Sequence, residues 1–199
     1  LRRDVRAAAL LGLGIIGAIA LHSLTKQLFA IGSLFQFEHY GMAERTLWQA
    51  LLVAGAFAAG QRLPIRAQRP VSLALLAAAL AHFGSFTLIL HNPLLSVQHV
   101  GPTPIANWLT PAYLIAIAAL WLAQTQWPNL PATLRTAGEA ATMGLITLLA
   151  YSLLRQTFAG SVLTAIPVGQ TESLLISLLG IVLALGFLGW GSWRAARTW

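Results

Sequence analysis

Long apolar runs alternate with short polar segments along the whole chain. Six of these runs are long enough to cross a bilayer as helices, and they cover residues 5–25, 43–60, 71–90, 105–123, 137–154 and 174–193. Transmembrane β-strands are shorter and alternate in polarity, whereas residues 73–80 read LALLAAAL without alternation. A helix also satisfies its backbone hydrogen bonds within one segment, as hydrocarbon requires. The pattern therefore predicts an all-α, polytopic transmembrane bundle of six spans.

The composition excludes an ordinary soluble domain. Of the 199 residues, 57% are hydrophobic and 9% are charged, whereas soluble domains carry about 25% charged residues. The lack of cysteine excludes disulfides, thiolate metal ligands and a cysteine nucleophile. Because the sequence starts at Leu1 and stops at Trp199 without a polar tail, we expect residues 1–199 to be one transmembrane module cut from a longer, multi-span protein.

The basic residues lie between the apolar runs and predict the orientation of the chain. In this arrangement they act as topology signals rather than as nucleic-acid contacts, so no nucleic-acid partner is expected. An N-terminus in the cytoplasm places nine of the 12 basic residues on the inner side: Arg2, Arg3, Arg6, Arg62, Arg66, Arg69, Arg135, Arg194 and Arg197. The other three then lie near the outer side: Lys26, Arg45 and Arg155. By the positive-inside rule, we expect both ends of this segment to be cytoplasmic.

Polar residues near the predicted outer ends recur with a period of about 64 residues. Three of them close the first helix of a predicted hairpin, at spacings of 65 and 64 residues: Lys26, His91 and Arg155. Three more open the second helix, at spacings of 63 and 65 residues: Glu44, Asn107 and Glu172. Two markers with one period predict three tandem in-out-in hairpins, residues 1–61, 62–126 and 127–199. The alternative is a coincidence of spacing.

These outer-side residues form the candidate ligand-binding site. The set is Lys26, Glu44, Arg45, His91, Asn107, Arg155 and Glu172. If the three hairpins pack side by side, the cations face the acids in an outward-opening, partly buried pocket. Lys and Arg donors match an anionic headgroup, a sugar phosphate or a carboxylate. The alternative is structural, with the acids capping helices or pairing with cations, and with Lys26 and Arg155 snorkelling to headgroups.

Signals for catalysis and metal binding are weak. Glu38, Glu44 and Glu172 can supply paired carboxylates, but no spacing sets their separation. His39, His91 and His99 show no ligand spacing typical of a metal site. No metal and no cofactor are therefore expected, and the catalytic residues, if any, stay unassigned.

Four short motifs carry a family resemblance: YGMAERTLW at residues 40–48, HNPLL at 91–95, LLRQTF at 153–158 and QTES at 170–173. With these motifs the chain resembles the bacterial polytopic membrane proteins grouped as domain of unknown function 2339. The resemblance implies a longer parent protein with further spans and a location in the bacterial cytoplasmic (inner) membrane. It implies no mechanism.

Three functional hypotheses follow. The first is a membrane module whose outward polar pocket binds or transports a small polar or anionic group. The second is a membrane-embedded enzyme acting on a lipid-linked or envelope glycan at the outer face, with Glu44 or Glu172 as the base and Lys26, His91 or Arg155 holding the charge. The third is a structural scaffold for partner helices. The expected partners are the lipid bilayer, the remaining transmembrane helices of the parent chain and, in the first hypothesis, the small ligand.

Overall fold

Helices account for most of the residues that the computed structural model describes, which are 16–17, 20, 23–24, 26–27, 31–127 and 129–194. The five helices that begin within these ranges after residue 30 are α1 (Leu34–Arg62), α2 (Ile65–His82, continued by a π-helix over Phe83–Leu90), α3 (Leu109–Gln126), α4 (Ala132–Ala159) and α5 (Gln170–Arg194). The described residues contain no strand, only an isolated bridge between His99 and Val162. The all-α prediction is confirmed.

Three helical stretches of the described chain are long and apolar enough to cross a membrane: Arg66–Leu90, Ala132–Ala159 and Gln170–Trp193. They match three of the six predicted runs. The predicted run 43–60 lies wholly within helix α1, and the predicted run 105–123 lies mostly within helix α3. The predicted run 5–25, like the basic residues near both ends of the chain, lies largely outside the described residues, so six spans stay a prediction.

Helix α1 begins well before the apolar run that predicted it, because Ser33 and Gln36 form a capping box. The Gln36 backbone N–H donates to Ser33 Oγ at 3.3 Å, and the Ser33 N–H donates back to Gln36 Oε1 at 3.1 Å. Reciprocal bonds of this kind satisfy two donors that a helix start otherwise leaves free. Residues 34–42 are therefore helical, and Glu44 lies in the interior of α1 rather than at its start.

Small residues bring α1 and α2 close together. Ala56 of α1 and Leu76 of α2 are fully buried in one core cluster with Ala119 of α3. The Ser72 hydroxyl of α2 donates to the Ala56 carbonyl at 2.9 Å. Hydrogen bonds between closely packed small residues are typical of helix pairs in membranes.

A larger core lies nearer the end of the bundle where α1 begins. Met42, Phe83, Leu109 and Tyr113 are buried there together, and the Phe83 and Tyr113 rings meet edge to face at 5.2 Å. The π-helix supplies Phe83 and ends with the His91 N–H bonded to the Phe86 carbonyl at 3.1 Å. This core supports the loops that follow it.

Two loops, residues 91–108 and 160–169, meet above this core. The His99 N–H donates to the Glu38 carbonyl of α1 at 2.8 Å, and the Val100 N–H donates to the Ser161 carbonyl at 2.9 Å. The first loop is thereby held between α1 and the second loop. This arrangement places the polar side chains of both loops beside those of α1, α4 and α5.

Candidate functional site

The Phe37 cluster consists of Lys26, Phe37, Glu44, Arg45 and His91. Lys26 Nζ lies 2.9 Å from Glu44 Oε2. The Phe37 ring lies beneath both cations, 6.0 Å from Lys26 Nζ and 5.5 Å from Arg45 Cζ. The His91 ring packs edge-on against the same ring at 4.7 Å. Four of the seven predicted site residues thus gather around an aromatic side chain that the sequence analysis did not single out.

Arg45 is the least satisfied member of this cluster. Only 5% of the residue is exposed. Its Nη2 donates to Gln98 Oε1 at 3.0 Å and lies 3.5 Å from Met42 Sδ. Its Nε and Nη1 are buried and have no hydrogen-bond acceptor among the described residues. Buried donors without acceptors cost free energy, so each such group in a native structure calls for an explanation.

Two further buried nitrogen atoms without a hydrogen-bond partner lie on helices α1 and α2. Gln49 Nε2, one turn along α1 from Arg45, is a donor with no acceptor within the described part of the chain. His82 Nδ1, at the end of α2, also lacks a partner there, and it donates or accepts according to the tautomer of the ring. The polar atoms left unpaired on α1, those of Arg45 and Gln49, are therefore donors.

The Arg155 cluster, formed by Arg155, Leu163, Ile166 and Glu172, is a second and separate polar group. Arg155 Nη1 lies 2.6 Å from Glu172 Oε2, and the two side chains are 6% and 1% exposed. Arg155 Nε donates to the Leu163 carbonyl at 2.9 Å, and Nη2 donates to the Ile166 carbonyl. One guanidinium thus joins the end of α4, the loop 160–169 and the first turn of α5. Charge-assisted bonds of this kind are stronger than neutral ones.

Residues 98–101 connect the two clusters. Gln98 accepts from Arg45, and the Gly101 carbonyl accepts from Gln156 Nε2 at 3.0 Å. Gly101 has φ of +129°, and a Cβ there would lie 2.6 Å from the Ala106 carbonyl oxygen. Glycine is needed at this position for both conformation and space.

The Asn107 side chain forms hydrogen bonds with nearby backbone groups rather than with the other predicted site residues. Its Oδ1 accepts from the Thr110 N–H at 2.8 Å, and its Nδ2 donates to the Pro104 carbonyl. It thus satisfies a backbone donor at the start of α3, as cap residues do. The pairs Lys26–Glu44 and Arg155–Glu172 form at equivalent positions of the first and third predicted repeats, whereas the second predicted repeat places a capping Asn107 and a ring-packed His91 there.

The loop histidines are poor candidates for holding an anion. Burial, aided by Arg45, lowers the pKa of His91 below its usual value of 6.5. Burial and then His39 lower the pKa of His99, with Glu38 opposing them. The His99 ring stacks on His39 at 3.8 Å. Both lowered pKa values favour neutral rings at pH 7, so the positive charge of the site comes from Lys26, Arg45 and Arg155.

Sequence reasoning missed two residues that shape the site. Phe37 precedes the apolar run, and only the Ser33-x-x-Gln36 spacing places it inside a helix. Gln98 lies in a loop without periodicity, and no sequence signal links it to Arg45. The described residues also contain no group of three or more side chains suited to hold a metal ion.

A comparison with known families finds a match that covers the whole chain. The model of the family described as predicted membrane protein (DUF2339) matches residues 1–199. No curated protein and no solved structure matches the sequence.

Proposed function

This chain belongs to the DUF2339 family of predicted membrane proteins, and on that premise we propose that its polar end binds a small anionic group at Arg45. In this proposal the chain is a transmembrane module of the bacterial inner membrane, with the loops 91–108 and 160–169 outside. The observation that carries the proposal is the buried Arg45 guanidinium, with two N–H groups that no described residue accepts. An anion supplies both the charge and the acceptors that this side chain lacks.

The charge balance of the two clusters favours Arg45 over Arg155. Glu172 neutralises Arg155, and two loop carbonyls take its remaining bonds. In the Phe37 cluster, Glu44 pairs with Lys26 at 2.9 Å. With His91 neutral, Arg45 remains as an excess positive charge in a buried place, where an unpaired charge is costly.

The ligand class follows from the chemistry of the Arg45 guanidinium. A carboxylate or a phosphate monoester presents several acceptor oxygens and matches a guanidinium. The Phe37 ring and Met42 border the same guanidinium, so the group that enters must be small. Binding is favoured over catalysis because both carboxylates considered as bases, Glu44 and Glu172, are already engaged by cations.

The test is an anion-dependent thermal shift of the detergent-purified full-length protein, with acetate and inorganic phosphate as probes. A ligand at 100 times its Kd adds about 2.7 kcal/mol to the free energy of unfolding, so we expect a dose-dependent rise in Tm. Arg45→Gln abolishes the rise with acetate and removes the Arg45-dependent part of the rise with phosphate, and Arg45→Lys keeps part of the acetate response because the charge remains. Arg135→Gln, which removes an exposed cation at the start of α4, is the matched control and keeps the full shift.

Two results would contradict the proposal. One is a wild-type Tm that neither probe raises. The other is an equal anion response in wild type, Arg45→Gln and Arg135→Gln, which would assign the effect to general screening of charge. If Arg45→Gln does not fold, Arg45→Lys takes its place in the test. An anion response in Arg45→Lys equal to that in Arg135→Gln would then contradict the proposal.

The orientation is tested separately by cysteine accessibility. This sequence has no cysteine, so a thiol reagent labels only the cysteine that is introduced into it. An impermeant thiol reagent outside intact cells should label Val97→Cys and Val168→Cys, whose parent residues are 49% and 48% exposed. It should label Arg66→Cys and Arg135→Cys only after permeabilisation. Labelling of Arg66→Cys in intact cells would reverse the orientation and move the Arg45 site to the cytoplasmic side.

A further inference from the structure

A polar cavity lies at the other end of the bundle, far along α1 from Arg45. Its volume is about 410 Å³, and it opens where α1 ends, α2 begins and α3 ends. Its polar lining comes from Gln61, Gln68, Arg69, Thr125 and Gln126. Ligand pockets are typically about 300–1,000 Å³ in volume, so the cavity can hold a headgroup-sized molecule.

We propose that this cavity binds a phosphate group, with Arg69 as the charged contact. Arg69 is the one cation among the residues that line the cavity, and no acidic residue lines it. A guanidinium offers donors in a planar fork that fits phosphate oxygens. The amides of Gln61, Gln68 and Gln126 can bond to both phosphate oxygens and hydroxyl groups, as a glycerol or sugar phosphate requires.

The cavity lies at the end of a candidate membrane span, where lipid headgroups are expected. The apolar stretch that includes α2 begins at Arg66, so Arg69 lies in the first turn of a candidate membrane span. Trp127, 44% exposed, follows the end of α3 at the same end of the bundle. Tryptophan is enriched at the membrane interface. Phe57 and Leu122 add apolar lining, which suits a ligand that carries acyl chains.

Two sources can present this phosphate chemistry, namely an anionic phospholipid and a soluble phosphate ester. We therefore test both with the full-length protein in detergent, using phosphatidylglycerol, glycerol phosphate and phosphatidylcholine in native mass spectrometry and thermal-shift titrations. The key variant is Arg69→Gln. Its matched control is Arg66→Gln, which removes an exposed cation from the same helix start but not from the cavity lining.

We expect phosphatidylglycerol to bind wild type and Arg66→Gln alike, and Arg69→Gln to bind it about tenfold more weakly, which corresponds to about 1.4 kcal/mol. Phosphatidylcholine should bind more weakly than phosphatidylglycerol. If glycerol phosphate reproduces the shift and its Arg69 dependence, the source is a soluble phosphate ester; if phosphatidylglycerol alone does so, the source is the lipid. Equal losses in Arg69→Gln and Arg66→Gln would reduce the effect to diffuse charge and overturn the proposal, as would the lack of any phosphate-dependent binding.

The variants at this end leave Arg45 untouched. If the Arg69 cavity binds no phosphate, the acetate response of the Arg45 site is unaffected. If Arg45 binds no anion, the phosphatidylglycerol titration of the Arg69 variants is unaffected. The two proposals can stand or fall separately.

Discussion

Glu172→Gln lowers the stability of the protein by about 3–5 kcal/mol, because it leaves the Arg155 guanidinium buried without its counter-charge. The two side chains are 6% and 1% exposed, and their charged atoms lie 2.6 Å apart. Water therefore cannot replace the lost carboxylate. The measurement is the Tm of the detergent-purified protein, with the native fold checked by size exclusion.

Lys26→Gln is the matched comparison for this effect. Lys26 and Glu44 also form an ion pair, at 2.9 Å, but the Lys26 side chain is 36% exposed. The Glu44 side chain is only 6% exposed, but water reaches the pair from the Lys26 side. The Tm of Lys26→Gln should therefore fall by clearly less than that of Glu172→Gln. Equal losses in the two variants would show that burial is not the controlling quantity.

The double variant Glu172→Gln with Arg155→Gln separates structure from function at this pair. Removing both charges should recover at least half of the lost stability, although the Leu163 and Ile166 carbonyls then lose a donor. Complementation of a deletion strain follows the recovered stability if the pair is only structural. Restored folding without complementation would indicate that the charges at Arg155 or Glu172 have a further role.

Gly101→Ala is the second change with a large expected effect. At φ of +129°, an added Cβ would lie 2.6 Å from both the Ala106 carbonyl oxygen and Asn107 Cα. Backbone strain and overpacking each cost about 1–3 kcal/mol, so we expect a loss of about 2–6 kcal/mol in unfolding free energy. The anion response at Arg45 should weaken as well, because Gln98 lies on the same short segment.

Gly160→Ala is the control for this prediction. Gly160 also has a positive φ, +76°, but nothing lies within 4 Å of the added Cβ. With ψ of −145°, Gly160 adopts a backbone conformation that is nearly restricted to glycine, so only the conformational cost of about 1–3 kcal/mol remains. A denaturant titration of both variants checks the difference, and a Gly160→Ala loss as large as that of Gly101→Ala would show that crowding at residue 101 is not decisive.

The two ion pairs show which part of the site is visible in the sequence and which part is not. The spacing of the polar residues predicts that cations face acids, but it leaves open whether Lys26 pairs with Glu44 and Arg155 with Glu172. In the structure both of these pairs form. The choice of partner is therefore made by the folded chain, because the sequence allows Glu172 to meet either cation.

The hydropathy pattern alone placed α1 incorrectly at its start. A search for apolar runs detects only uninterrupted apolar stretches, and residues 34–42 are interrupted by Gln36, Glu38 and His39. Their helix depends on the capping box of Ser33 and Gln36. That signal was present in the sequence, but it describes a helix end rather than a membrane span.

The sequence by itself determined the all-α class, the long apolar stretches and the family, because run length, composition and short motifs act locally along the chain. Only the tertiary structure decided which donors stay unpaired. Arg45 and Gln98 are 53 residues apart, and their meeting depends on the path of the loop 91–108 over the core. The cavity beside Arg69 likewise exists only because three helix ends converge, which no single segment encodes.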